Sequence, residues 1–76
     1  MQENTISKRL QLMLKNLGMM QKELADKAGT TEAAISRYVN GSRLPSCMAL
    51  INIANAAKVN PSWILGMGSD DDMERM

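Results

Sequence analysis

The sequence predicts an all-α domain of five short helices, and three features carry that reading. Apolar residues recur at three- and four-residue spacing, as in Ile6, Leu10, Met13, Leu14 and Leu17, which places them on one helical face. Stop and start signals punctuate the chain: Gly18, Gly29 and Gly41 stand where helices end, and Thr5, Thr31, Ser46 and Asn60 can cap the helices that begin. Only Tyr38 and Trp63 are aromatic, so a chain that is 45% hydrophobic must fill its core with Leu, Ile, Ala and Met. Its eight methionines suit irregular gaps.

Taken in order, Met1–Asn4 reads as a loose arm, and Thr5 as the cap of a helix that runs to about Leu17. Lys8, Arg9 and Lys15 lie off its apolar stripe and read as a solvated basic face. After Gly18, Met19-Met20 leads into a second helix at Gln21. Leu24 and Ala28 share its inner face, and Ala25 is small enough for another helix to approach closely. Lys22, Glu23, Asp26 and Lys27 form its solvated surface. Gly29 supplies the positive φ that a helix C-cap needs, and Thr30 or Thr31 can cap the next helix.

The third helix spans about Thr31–Tyr38. Ile35, Tyr38 and Val39 point back into the protein, which leaves Glu32, Ala33, Ser36 and Arg37 together on the outward face. Asn40-Gly41 closes it, and Ser42, Arg43 and Leu44 form a loop. Pro45-Ser46 starts the fourth helix, with Leu50, Ile53, Ala54 and Ala57 as its buried stripe. Asn60-Pro61 starts a fifth, Pro61–Leu65, ended by Gly66. Trp63 seals the core, while Ile64, Leu65 and Met67 are the candidates for a symmetric dimer surface. The reading therefore gives a domain over residues 1–68 and a flexible acidic tail over residues 69–76.

Charge placement sharpens this. The net charge is only +1, but Asp70, Asp71, Asp72 and Glu74 crowd the last seven residues. Met1–Gly68 alone holds eight Lys or Arg against four Asp or Glu, a net +4, so the body is modestly basic. There is no His and one Cys, which removes the usual catalytic base and any internal disulfide, and leaves Cys47 as a structural thiol near a helix start. No metal set or phosphate loop stands out, so neither enzyme nor cofactor is implied. No apolar run approaches membrane length and no secretory signal core is visible, so the expected location is the cytoplasm of a bacterium, with a phage origin equally open.

Two helices joined by a tight turn, with a polar outward face on the second, make a helix-turn-helix, whose second helix enters the DNA major groove. Gln21, Ala25, Gly29, Ile35 and the run Asn40-Gly41-Ser42-Arg43-Leu44-Pro45 resemble the phage repressor and Cro-like helix-turn-helix family, the XRE-type regulators. The resemblance runs from about Ile6 to Leu65. It implies a five-helix lambda-repressor-like domain that binds double-stranded DNA as a homodimer and regulates transcription. It implies base readout by Glu32, Ala33, Ser36 and Arg37, and phosphate contact by Gln21, Thr31, Asn40, Ser42 and Arg43. Lys8 or Arg9 is a further phosphate candidate.

Two copies would place their recognition helices in successive major grooves, about 34 Å apart on a near-palindromic operator. The acidic tail reads as a solubilising end, and the sharper alternative is that it competes with DNA for the basic surface. Many relatives carry an Arg at the position of Leu14 and a Glu at that of Val39, as a buried ion pair. Two hydrophobes replace such a pair at little cost. An antitoxin paired with a toxin, and a protein-interaction adapter that has kept the fold, are the alternative readings; co-purification with a toxin separates the first from a lone regulator.

Overall fold

Asn4, rather than Thr5, opens the first helix. Its carboxamide oxygen accepts from the Ser7 amide at 2.9 Å, and the Ser7 hydroxyl accepts from the Asn4 amide at 2.8 Å. This reciprocal capping box satisfies donors that would otherwise be orphaned at the helix start. It also explains why Ser7 is fully buried. Thr5 becomes the first helical residue.

The computed structural model describes residues 4–76, so the expected arm, Met1–Asn4, lies outside the described residues except for Asn4. The helices are α1 (Thr5–Leu17), α2 (Gln21–Ala28), α3 (Glu32–Asn40), α4 (Cys47–Ala57) and α5 (Pro61–Ile64). Helix α3 runs two residues past the expected end at Tyr38 before Gly41 closes it, and α5 stops one residue short of Leu65. Ser46 caps α4 through Ala49 N, and Asn60 caps α5 through Ser62 N, both as read from sequence. Cys47 is the first residue of α4 and is exposed.

Leu10, Met13, Leu24, Ile35, Ile53 and Trp63 form the centre of the core, each 1% exposed or less. Burying one such side chain stabilises the fold by about 1.5–3 kcal/mol. Helix α2 packs on α3 and α4, and α1 packs on α3 and α5, so α3 is gripped from two sides. Leu14 is buried and Val39 half-buried on facing elements, and Gln11 Nε2 donates to the Val39 carbonyl at 2.8 Å, tying α1 to the end of α3.

Two expectations are corrected in the core. Ile64 is fully buried and cannot form a dimer surface, whereas Leu65 and Met67 are 53% and 64% exposed. Arg9 is buried rather than solvated: it donates to the carbonyls of Trp63, Met67 and Gly68 and to the Asp70 carboxylate. Its guanidinium joins the Gly66 amide on the Trp63 carbonyl and supplies donors to the Met67 and Gly68 carbonyls of the segment that follows α5.

The tail does not stand free of the body. Trp63 Nε1 donates to the Ser69 carbonyl at 2.8 Å, Asn60 N to the Glu74 carbonyl at 2.7 Å, and Met76 N to the Lys58 carbonyl at 2.9 Å. Val59 and Arg75 form an isolated antiparallel bridge, and Met73 packs against the core. Composition registered the acidic run but not its partners. The indole N–H, the open backbone between α4 and α5, and the buried Arg9 each supply one.

Candidate nucleic-acid interface

The angle between α2 and α3 is set by three turn residues. Gly29 has φ 71°, a left-handed conformation that a side chain would strain. Thr30 N then reaches back to the Ala25 carbonyl at 3.0 Å, closing α2. Thr31 caps α3, its hydroxyl oxygen accepting from Ala34 N at 3.1 Å. Leu24, Ala25 and Ile35 fill the crossing and are 2% exposed or less. This turns Glu32, Ala33 and Arg37 outward and exposed, with Ser36 half-buried among them.

The outward charges are unspent. Among the described residues, Arg37, Arg43, Lys15, Lys22 and Glu32 form no ion pair. Lys27 pairs with Glu23 at 3.4 Å, but both are half-exposed and the pair contributes little.

Two flanks border this face. On one, α2 opens at Met20 without any side-chain cap, while Asn4, Thr31, Ser46 and Asn60 cap the other helices. The first-turn amides of α2 therefore point outward with the positive end of the helix dipole, beside Gln21. On the other flank, the loop after α3 is drawn onto the Arg37 carbonyl. Ser42 N donates to it at 3.0 Å, Ser42 Oγ at 3.4 Å and Arg43 N at 3.3 Å. Asn40 Oδ1 accepts from Ser42 N at 2.8 Å.

Three of the phosphate candidates thus also hold backbone in place. Thr31 and Asn40 spend an acceptor oxygen internally and keep the hydroxyl hydrogen and amide nitrogen as outward donors; Ser42 spends its hydroxyl hydrogen. Arg43 is exposed and forms no ion pair among the described residues.

Gln21 and Glu32 line one open groove of about 580 Å³ together with Gln11, Lys15 and Met20. Gln11 and Lys15 were not singled out from sequence as part of this surface. Their four-residue spacing puts them on one face of α1, a signal that gains meaning only once α1 is packed on α3. Lys8 and Arg9 leave the interface instead. Lys8 Nζ sits 3.0 Å from Asp70, and Arg9 is buried behind it. The tail therefore meets α1 and α5, not the outward face of α3.

The Helix-turn-helix family matches residues 10–64. The chain is 37% identical over 59 residues to the uncharacterized HTH-type transcriptional regulator YqaE of Bacillus subtilis (strain 168). That match covers 78% of this chain and 51% of the relative, so the chain spans about half the relative's length. Among solved structures, the fold is similar to the solution structure of the DNA-binding domain of the P22 c2 repressor. The TM-score is 0.78 at 22% identity, with 88% of each chain covered. With its capped turn, its crossing residues and most of its length inside the matched span, the chain belongs to the helix-turn-helix family.

Proposed function

We propose that this protein is a sequence-specific DNA-binding transcriptional regulator that acts as a repressor, in the form of a dimer on a near-palindromic operator. The observation that carries the proposal is the outward face of α3. Glu32, Ala33 and Arg37 are exposed with no ion-pair partner among the described residues, between the uncapped start of α2 and the loop Asn40–Arg43. Phosphate-binding groups on both flanks of a reading helix are what docking in a major groove requires.

The chemistry of each residue fits a base edge. Arg37 can donate two hydrogen bonds to guanine O6 and N7, Glu32 can accept from cytosine N4, and Ala33 can pack on a thymine methyl. Ser36 adds a hydroxyl for a base or a phosphate. Gln21 with the α2 amides, and Thr31, Asn40, Ser42 and Arg43 with their remaining donors, set the register on the backbone. The relatives' descriptions, a transcriptional regulator and a DNA-binding domain, support the same reading.

The test is selection from a pool of random duplexes at near-physiological salt. A recovered near-palindrome with half-sites one helical turn apart is the expected result. Folded protein that enriches no sequence would overturn the proposal and direct the search to a protein partner.

A further inference from the structure

Helix α4 differs from α1, α2 and α3 in having no charged residue, and the uncharged run extends from Leu44 to Ala57. Yet part of it faces water: Leu44, Met48 and Ile51 are 61%, 64% and 38% exposed, and Cys47 is exposed among them. Cys47, Met48 and Ile51, three and four residues apart on α4, make one stripe turned away from the buried Leu50, Ile53, Ala54 and Ala57, and Leu44 stands exposed in the loop just before the helix. Beside the stripe lies a cleft of about 270 Å³ between the α2–α3 turn and α4, walled by Thr30, Tyr38, Asn52 and Ile53, with Met48 also lining it.

We propose that this stripe and cleft are the contact between two copies of the chain; the inference rests on the dimeric reading above and locates its interface. A two-fold contact sets a surface against itself, so charges near the axis meet charges of the same sign. A face with none is suited to that arrangement, and Leu44–Ala57 is the longest uncharged run in the chain. The face also carries both halves of a reciprocal fit. Met48 is a flexible, exposed knob, and the cleft beside it is a socket bordered by polar groups. In an isologous pair, the knob of each copy enters the socket of the other, so one surface serves twice. Nucleic acid is the poorer occupant, since the stripe offers no cation.

Position agrees with this. The exposed patch begins at Leu44, immediately after the Asn40–Arg43 loop that closes the recognition helix. A two-fold axis here places the second copy beside the phosphate loop. The stripe and the cleft residues beside it are fewer than the roughly 20–30 residues a side of a standard interface. The dimer is therefore weak in free solution and completed on DNA.

The test uses the full chain without DNA, so its outcome does not depend on the DNA-binding reading. Amide chemical shifts and sedimentation are followed from micromolar to millimolar protein. The expected result is a rising mass, with shifts confined to Leu44–Ile51 and the cleft residues Thr30 and Asn52. Met48→Glu and, independently, Ile51→Asn should abolish both while circular dichroism shows each variant folded. Should either variant unfold, the wild-type shift map still decides. A chain that stays monomeric and unshifted, or shifts centred elsewhere, would overturn the proposal. So would association lost in Leu65→Glu or Met67→Glu and kept in Met48→Glu.

Discussion

The guanidinium of Arg9 lies 4.7 Å from the centre of the Trp63 ring and donates to the carbonyl of that same residue at 2.8 Å. One side chain thus holds both the ring and the backbone of α5, and its remaining donors hold Met67 and Gly68. Removing it strands the Met67 and Gly68 carbonyls, leaves the Trp63 carbonyl to the Gly66 amide alone, and takes from Asp70 its buried partner. Arg9→Ala is expected to destabilise the fold by about 3 kcal/mol. Arg9→Lys should recover only part of that, because an ammonium has no planar fork and stacks poorly. Urea denaturation measures both. Unchanged stability with weakened DNA binding would instead return Arg9 to the phosphate role that its sequence position implies.

Asp70 gives the same corner a pH dependence. Its hydrogen bond to Lys8, then that to Arg9, holds its carboxyl below the ordinary value of 3.8, with partial desolvation opposing them. A carboxyl whose folded pKa lies below its unfolded value stabilises the fold above the ordinary range. It loses that contribution as pH falls through the folded value. Asp70→Asn should therefore melt below wild type near neutral pH, and the gap should close in strong acid. Thermal midpoints of both proteins from about pH 7 to about pH 2 provide the check. A constant gap would assign the effect to hydrogen-bond geometry rather than charge.

Gly66 joins α5 to the start of α1. Its φ is 110°, and a Cβ there would meet Thr5 Cγ2 at 2.7 Å. Gly66→Ala should cost about 1–3 kcal/mol, part from the backbone and part from the contact. Thr5→Ser removes the offending methyl, so the double variant should recover the contact part alone. A double-mutant cycle of urea midpoints separates the two. Additive effects would show that Thr5 simply moves aside.

The range over which each signal acts decides whether the sequence disclosed it. The α2–turn–α3 unit was legible because Gly29, Thr31, Leu24 and Ile35 act within a few residues of one another. The stripe Leu50, Ile53, Ala54 and Ala57 was legible for the same reason, and all four are buried. Arg9 was not, because its partners lie 54 to 61 residues away and its place off the apolar stripe is that of any solvated arginine. Ile64 was misplaced because a four-residue helix gives too little periodicity to tell its buried face from its exposed one. In the candidate site, the outward α3 residues could be read by phase alone. The grouping of Gln11 and Lys15 with Gln21 depended on how α1 packs.

Arg37 and Arg43 offer the sharpest division of labour in the proposed interface. Arg43 N donates to the Arg37 carbonyl at 3.3 Å, so the two share one anchored turn, and both side chains are exposed. Their expected roles differ. Arg37 sits on the outward face of the reading helix, and Arg37→Ala should cost about 1–3 kcal/mol on the selected operator while relaxing preference at one base pair. Arg43 sits on the loop after that helix, and Arg43→Ala should weaken all duplexes alike and lower the salt slope by about 1. Fluorescence anisotropy on the operator and on a scrambled duplex, repeated across salt concentrations, distinguishes the two signatures. If Arg37→Ala weakens both duplexes equally and flattens the slope, Arg37 is a phosphate contact. Selectivity would then rest on Glu32, Ala33 and Ser36.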